Sequence, residues 1–153
     1  MDAVTHALAP VIIARLGFRR SLPVGRFGYP AIGLAGALPD LLAPHLTLEE
    51  RMESWSHGLP FWLLFTLLAI SVPLLFKKSP LRLSCALSSA YLLHLVCDAV
   101  SGGVNWLFPV RDFVWGQYWV SPLLWPLLDI LLILQCYLLF RYLPLRARRR
   151  QAE

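Results

Sequence analysis

Charged residues are scarce in this chain. Only 15% of its 153 residues are Asp, Glu, Lys or Arg, while 58% are hydrophobic and the mean hydropathy is +0.60. Soluble domains carry about 25% charged residues, so this composition excludes an ordinary soluble fold. It favours a protein that lies within a lipid bilayer.

Cysteine is also rare, and its placement gives no sign of a disulfide framework or a cysteine metal site. Cys85, Cys97 and Cys136 fall at unrelated spacings within apolar segments and form no CxxC pair, which is typical of small buried residues. The chain also lacks a basic stretch before its first apolar segment, which contains Asp2 and His6. We therefore expect that segment to be retained and not cleaved as a signal peptide.

Long apolar windows predict membrane-spanning helices. Leu59–Phe76 and residues 122–140 each offer about twenty mostly apolar residues, which suffice to cross roughly 30 Å of hydrocarbon. Residues 83–100 form a third window that contains two ionisable side chains. Residues 3–16 and 31–42 are apolar but short, and they are either short spans or re-entrant segments.

These segments predict an all-α membrane bundle. Loops rich in Pro, Gly and charge divide the chain into five helices, at residues 2–16, 29–44, 57–76, 80–101 and 122–143. We expect one membrane-embedded domain over residues 1–143 and a basic tail over residues 144–153.

The basic residues of the loops predict the orientation of the bundle. They cluster after the first predicted helix, between the third and fourth, and after the fifth, so all three clusters lie on one side if every helix crosses. By the positive-inside rule this side is the cytoplasm, and loops 45–56 and 102–121 face outward. We therefore expect an integral protein of a bacterial-type inner membrane with a cytoplasmic C-terminus. The net charge of +5 is explained by topology and lipid headgroups, so no nucleic-acid partner is expected.

Ionisable residues at the ends of the apolar segments form the candidate site. Six of them would meet at the outer face: Asp2, His6, Asp40, His57, His94 and Asp98. Two pairs, Asp2 with His6 and His94 with Asp98, are spaced four residues apart and so share a helix face. An ionised Asp within a span costs about 2.5–3.5 kcal/mol, and most basic side chains lie on the opposite face, so one or two metal ions are the expected counter-charge. Mixed His and Asp ligands favour zinc, with manganese and iron as alternatives.

Each of these residues also has a structural explanation. A single intramembrane His is commonly a hydrogen-bonded packing residue, and Asp2 alone would serve as a helix N-cap. The combination of six residues favours the metal site over these explanations. Asp129 is expected to orient a ligating His from outside the ligand set. His45 follows Pro44 in an outer loop and is expected to be solvated.

Five short motifs carry a resemblance to a known family. They are MDAVTH at residues 1–6, GALPD at 36–40, SH at 56–57, HLVCD at 94–98 and GVNWLFP at 103–109. Their order and their placement at helix ends resemble the YdjM family of membrane-bound metal-dependent hydrolases, over nearly the whole chain. That family is similar to the zinc-dependent phospholipase C and single-strand nuclease superfamily of all-helical phosphodiesterases. The resemblance implies that His94 and Asp98 are an HxxxD ligand pair, and that Asp40 and His57 are ligands from earlier helices.

The chain departs from the family pattern in two places. Family members commonly have a His and an Arg shortly before the position of His57, where this chain has Met52 and Glu53. They often have an Asp before the proline that opens the last span, where this chain has Ser121. These departures imply fewer metal ligands, a different substrate or weaker activity.

The resemblance and the candidate site together predict a metal-dependent hydrolase that cleaves a phosphoester in a lipid or lipid-linked substrate at the outer face. Metal would activate water and polarise the phosphoryl oxygen, with Asp40 or Asp98 as base or bridging ligand. Arg111 would either bind a phosphate oxygen or contact the loop and lipid headgroups. The aromatic residues of the 102–121 loop favour the headgroup level, which an amphiphilic substrate reaches by lateral diffusion.

Two other classes of protein use buried His and Asp. A transporter or proton relay would distribute such groups through the bilayer, whereas the inner halves of the last three predicted helices are apolar. A non-catalytic membrane scaffold with a structural metal site is the alternative that the departures at residues 52, 53 and 121 support. The sequence leaves the oligomeric state open.

Overall fold

The computed structural model describes residues 3–18, 27–76 and 81–150, most of which are helical. The helices within these ranges are α1 (Ala3–Gly17), α2 (Gly28–Leu42), α3 (Leu48–Met52), α4 (Leu59–Phe76), α5 (Leu81–Val100), α6 (Trp125–Tyr137) and α7 (Leu143–Arg150). Short 3-10 turns, Trp55–His57 and Pro122–Leu124, precede α4 and α6, and a π-helical turn, Leu138–Tyr142, joins α6 to α7. The predicted all-α bundle is confirmed. The short helix α3 was not predicted.

Two helical runs in the described ranges are long and apolar enough to cross a membrane. They are Leu81–Val100 and Pro122–Arg146, while Ala3–Gly17 and Leu59–Leu75 are shorter apolar helices. The full crossing of the shorter helices and the exposure of the loops on either side stay predictions.

Three helices form the centre of the bundle. Helix α2 packs against both α1 and α5, and α1 also contacts α5, while α4 lies against α5 and α6 against α1. The buried core between the central helices consists of small and β-branched side chains: Val11, Ala14, Ile32, Ala35 and Ala90. Small residues let helix backbones approach closely, which matters in lipid because the surrounding chains are as apolar as the interface.

The contact between α1 and α2 leaves no room for a side chain at Gly36. A Cβ at this position would overlap His6 O and would lie 2.7 Å from Pro10 Cγ. The carbonyl oxygen of Gly36 also accepts a hydrogen bond of 2.8 Å from His94 Nδ1 on α5. Gly36 therefore joins α1, α2 and α5 next to the ionisable residues.

The segment after α5 folds back as a short β-hairpin, which was not predicted. Strand β1 (Val104–Asn105) pairs antiparallel with β2 (Val114–Trp115), with Val104 opposite Trp115. The backbone N–H of Leu59 donates to Trp106 O at 2.7 Å, which ties the hairpin to the start of α4. The hairpin thus covers the end of the bundle that carries His57 and Asp98.

Replacing Gly36 by Ala should destabilise the bundle. The added methyl group would overlap α1, and overpacking of this kind costs about 1–3 kcal/mol of stability. This cost is larger than the roughly 0.5–1 kcal/mol by which Ala stabilises a helix relative to Gly. Gly17→Ala is the matched control, because a Cβ at Gly17 meets no described atom within 4 Å. Thermal unfolding in detergent micelles should show a lower Tm for Gly36→Ala than for Gly17→Ala. Equal Tm values would contradict the close contact.

Candidate metal centre

All four histidines of the chain lie in one polar cluster at the end of the bundle covered by the hairpin. We call it the His/Asp cluster, and its members are His6 on α1, Asp40 on α2, His45 after α2, Arg51 on α3, His57 in the 3-10 turn before α4, and His94 and Asp98 on α5. The structure thus brings together five of the six residues predicted as ligands. Asp2 lies outside the described residues.

The donor atoms of His57, His94 and Asp98 lie close enough together to hold a single metal ion, and Asp40 lies beside both histidines. His94 Nε2 lies 3.2 Å from Asp98 Oδ2 and 3.6 Å from Asp40 Oδ1. His57 Nε2 lies 3.7 Å from Asp98 Oδ2 and 3.2 Å from Asp40 Oδ1. Ligand atoms around tetrahedral zinc are about 3.3–3.6 Å apart, given bonds of about 2.0–2.2 Å. These His and Asp groups could hold a metal ion.

Hydrogen bonds outside this donor set orient both rings. His94 Nδ1 lies 2.8 Å from Gly36 O, and since a carbonyl oxygen only accepts, Nδ1 carries the proton. His57 Nδ1 lies 2.9 Å from Ser54 Oγ and 3.1 Å from Ser56 Oγ. Contacts of this kind fix the ring orientation of metal-ligating histidines, and they direct both Nε2 atoms toward the carboxylates.

The position of His94 Nε2 calls for a cation. It is buried and makes no hydrogen bond within the described part of the chain. With the proton on Nδ1, a neutral ring presents a lone pair at Nε2 to two carboxylates, and acceptors facing each other repel. A second proton on the ring or a metal ion between the groups removes this repulsion. The nitrogen and oxygen donors, the negative charge and the spacing all fit a divalent metal.

Asp98 has a counter-charge from the protein itself. Its side chain is 1% exposed, and Oδ1 lies 3.0 Å from Arg51 Nη1 and 3.2 Å from His6 Nε2. Arg51 Nη2 lies within hydrogen-bonding distance of three backbone oxygens, those of Asp98, Ser101 and Gly103. This corrects the expectation that metal ions supply the counter-charge alone. Ionised Asp40 and Asp98 together with Arg51 give −2 + 1 = −1 for the described cluster. His6 contacts Oδ1 of Asp98, whereas His94 contacts Oδ2, but His6 also forms a group with Asp40 and His94 that could hold an ion. Its role as a ligand stays a prediction.

Arg51 reaches the cluster from α3, and sequence analysis missed it. Thr47 and Glu50 form a capping box at the start of this helix, with Glu50 N donating to Thr47 Oγ1 at 3.2 Å. Backbone N–H groups of Leu46 and Thr47 donate to the Glu50 carboxylate and lower its pKa. The Thr-x-x-Glu spacing could have predicted the helix, but no local signal indicates that Arg51 contacts Asp98. The resemblance places an arginine at position 53, where the chain has the exposed Glu53.

The expectation that His45 is solvated was wrong. Its side chain is half-buried, with Nδ1 3.9 Å from Asp40 Oδ1 and the ring centroid 4.7 Å from that of His57. Burial lowers the pKa of the His45 imidazole, and the neighbouring His57 lowers it further. A neutral imidazole is the form that binds metal, and the atoms of Asp40, His45 and His57 form a further group that could hold an ion. The sequence placed His45 in a loop, but the loop folds back over the cluster.

Other residues singled out in the sequence have different contacts. Thr5 Oγ1 donates to Asp129 Oδ1 at 2.6 Å, which ties α6 to α1 one residue before His6. Arg111 is exposed on the turn after β1 and is not among the residues that line the cavity beside the cluster. The proposed actions of Asp129 on a histidine ring and of Arg111 on a phosphate stay predictions. Ser121 Oγ accepts from Leu123 N and caps the turn before α6.

A cavity of about 510 Å³ adjoins the side of the cluster formed by Asp40 and His45. Its polar lining includes Asp40, His45, Thr47 and Arg51, and its apolar and aromatic lining includes Leu41, Pro44, Leu46, Leu48, Tyr118 and Trp125. Molecules that enter this cavity would therefore meet both the donor set and an apolar wall.

The comparisons with known proteins agree with the motifs. The family model described as YdjM inner membrane protein matches residues 1–151. No curated protein and no solved structure matches the chain. Because the family match covers nearly the full length, including every member of the His/Asp cluster, the chain belongs to the YdjM inner membrane protein family.

Proposed function

We propose that this inner membrane protein is a metal-dependent hydrolase that cleaves a phosphoester in a lipid or lipid-linked substrate. The observation that carries the proposal is the buried Nε2 of His94, which faces the carboxylates of Asp40 and Asp98 and lacks a hydrogen bond within the described ranges. Zinc is the proposed metal, because catalytic zinc takes three protein ligands from imidazole nitrogens and carboxylate oxygens and keeps a fourth position open for water.

The residues of the chain would divide the work of the reaction. A bound divalent ion would acidify a water molecule and polarise a phosphoryl oxygen. Asp98 is the more buried carboxylate and is held by Arg51, so it serves as a fixed metal ligand. The Asp40 side chain is 16% exposed and lines the cavity, so it is the carboxylate that can accept a proton from entering water.

The cavity lining supports an amphiphilic substrate. Leu46 and Leu48 provide apolar surface, and Tyr118 and Trp125 are residue types that favour the headgroup level of a bilayer. A substrate with a polar phosphate and an apolar remainder would contact both parts of this lining. The basic clusters of the loops support a location of the cavity at the outer face, with the C-terminus in the cytoplasm.

A non-catalytic scaffold with a structural metal site is the second candidate. It is favoured by the departures from the family pattern, because Glu53 and Ser121 stand where family members commonly have Arg and Asp. Both residues are exposed in this chain. The two candidates differ in turnover and not in metal content.

Loss of a donor should remove metal from the protein. His94→Ala and Asp98→Asn should each weaken metal binding by more than about 100-fold, since even contacts outside the ligand set typically contribute 10–100-fold. Asp112→Asn is the matched control for Asp98→Asn, because the Asp112 carboxylate accepts from Asn105 within the hairpin. Elemental analysis of purified, folded protein measures the change. Full metal content in His94→Ala would refute the donor set.

The metal-loaded protein should cleave phosphoesters. Assays with phospholipids, polyprenyl phosphates and a generic phosphodiester should reveal turnover that chelators suppress and divalent metal restores. His57→Ala and Asp98→Asn should lower the rate by at least about 100-fold, with Asp112→Asn unchanged. A metal-replete, folded protein that leaves all of these substrates intact would favour the scaffold.

Thiol labelling should decide the orientation. The native Cys85, Cys97 and Cys136 are first replaced by Ala. Leu46→Cys then probes the outer loop, since the Leu46 side chain is 99% exposed and its replacement leaves the capping box intact. Arg148→Cys probes the basic tail. An impermeant reagent applied from outside should label position 46 and reach position 148 only after the membrane is opened. Labelling of both positions from the same side would contradict the proposed topology.

A further inference from the structure

Two of the residues that line the cavity beside the His/Asp cluster carry a buried N–H donor. Arg51 Nε and Trp125 Nε1 are each buried and have no acceptor within the part of the chain that the structure describes. Arg51 is only 4% exposed, and its Nη1 and Nη2 atoms are already used by Asp98 and by backbone oxygens. Leaving a buried donor unsatisfied is unfavourable, and more so for a charged group. Two such donors in one cavity point to a bound acceptor.

The chemistry of the donors indicates an anionic acceptor. A guanidinium remains charged in proteins and, like the indole N–H, can only donate. A divalent ion in the cluster would change its charge from −1 to −1 + 2 = +1, so an anion beside Asp40 would be attracted. Because Nη1 and Nη2 of Arg51 are engaged, its Nε–H remains as a charge-assisted donor for one phosphate oxygen.

The size of the cavity indicates what accompanies the phosphate. At about 510 Å³ it exceeds the space that a bare phosphate ion needs, and Leu46 and Leu48 supply apolar surface beside the polar lining. We infer that Arg51 Nε–H and Trp125 Nε1–H form a subsite for a phosphate group, with the apolar part of an amphiphile against the leucines. The inference rests on the proposed function, since it places the phosphate beside the donor set for metal.

The test removes one donor without removing the ring. Trp125→Phe keeps an aromatic side chain but lacks the N–H, and Trp119→Phe is the matched control because Trp119 is 52% exposed and outside the cavity lining. Calorimetric titration of inorganic phosphate into zinc-loaded protein in detergent should show roughly tenfold weaker binding for Trp125→Phe, as expected for loss of one hydrogen bond to an anion. Trp119→Phe should match the wild type.

A second variant and a second ligand complete the design. Arg51→Lys keeps the charge but lacks Nε–H, so it should also weaken phosphate binding. It provides the test if Trp125→Phe proves unstable. Dihexanoylphosphatidate should bind tighter than inorganic phosphate, because its acyl chains add contacts with the leucines. Equal binding would overturn the amphiphile and indicate free phosphate as the ligand.

The outcomes separate this subsite from the hydrolase proposal. Unchanged phosphate affinity in both Trp125→Phe and Arg51→Lys, or absence of phosphate binding to the wild type, would overturn the subsite even if phosphoesters are cleaved. Weaker phosphate binding by Trp125→Phe in a protein without turnover would support the subsite and overturn the hydrolase.

Discussion

Asp98, with its side chain 1% exposed and Asp40 beside it, imposes the constraint to which the rest of the bundle is adapted. An ionised carboxylate within a span costs about 2.5–3.5 kcal/mol unless partners compensate it. Those partners come from separate elements: α1 supplies His6, α3 supplies Arg51, and the turn before α4 supplies His57. Two features of the fold keep these elements close to the carboxylates. They are the close approach of α1 and α2 at Gly36 and the hairpin over the end of α5.

The features that sequence analysis predicted depend on local properties of the chain. Helix length and apolar content identified the helices that became α1, α2, α4, α5 and α6. The spacing of four between His94 and Asp98 placed both on one face of α5, and their donor atoms lie 3.2 Å apart. Loop charges add a prediction of which helix ends share a side, and the helix ends that carry His6, Asp40, His57 and Asp98 do lie together in the cluster.

The missed features depend on contacts between distant parts of the chain. Arg51 is 47 positions from Asp98, and their contact requires two elements to meet. The first is α3, which its capping box predicts locally. The second is the end of α5, and no local signal predicts that it returns to the same end of the bundle. His45 is half-buried because its loop packs against His57, which no spacing within the loop predicts. The resemblance directed attention to positions 52 and 53, whereas the guanidinium that contacts Asp98 in this chain belongs to Arg51.

The distribution of burial within the cluster bears on whether a bound metal would be structural or catalytic. Structural metal sites are closed by protein ligands, whereas catalytic sites keep a position open for water or substrate. His94 and Asp98 are buried to about the same degree, but Asp40 and His45 are half-buried and line a cavity of about 510 Å³. Hydrogen bonds to Gly36 O and with the Ser54 and Ser56 hydroxyls fix the rings of His94 and His57 on the closed side, whereas Asp40 and His45 border the cavity. A structural metal would gain nothing from this asymmetry, and for that reason we favour the hydrolase over the scaffold.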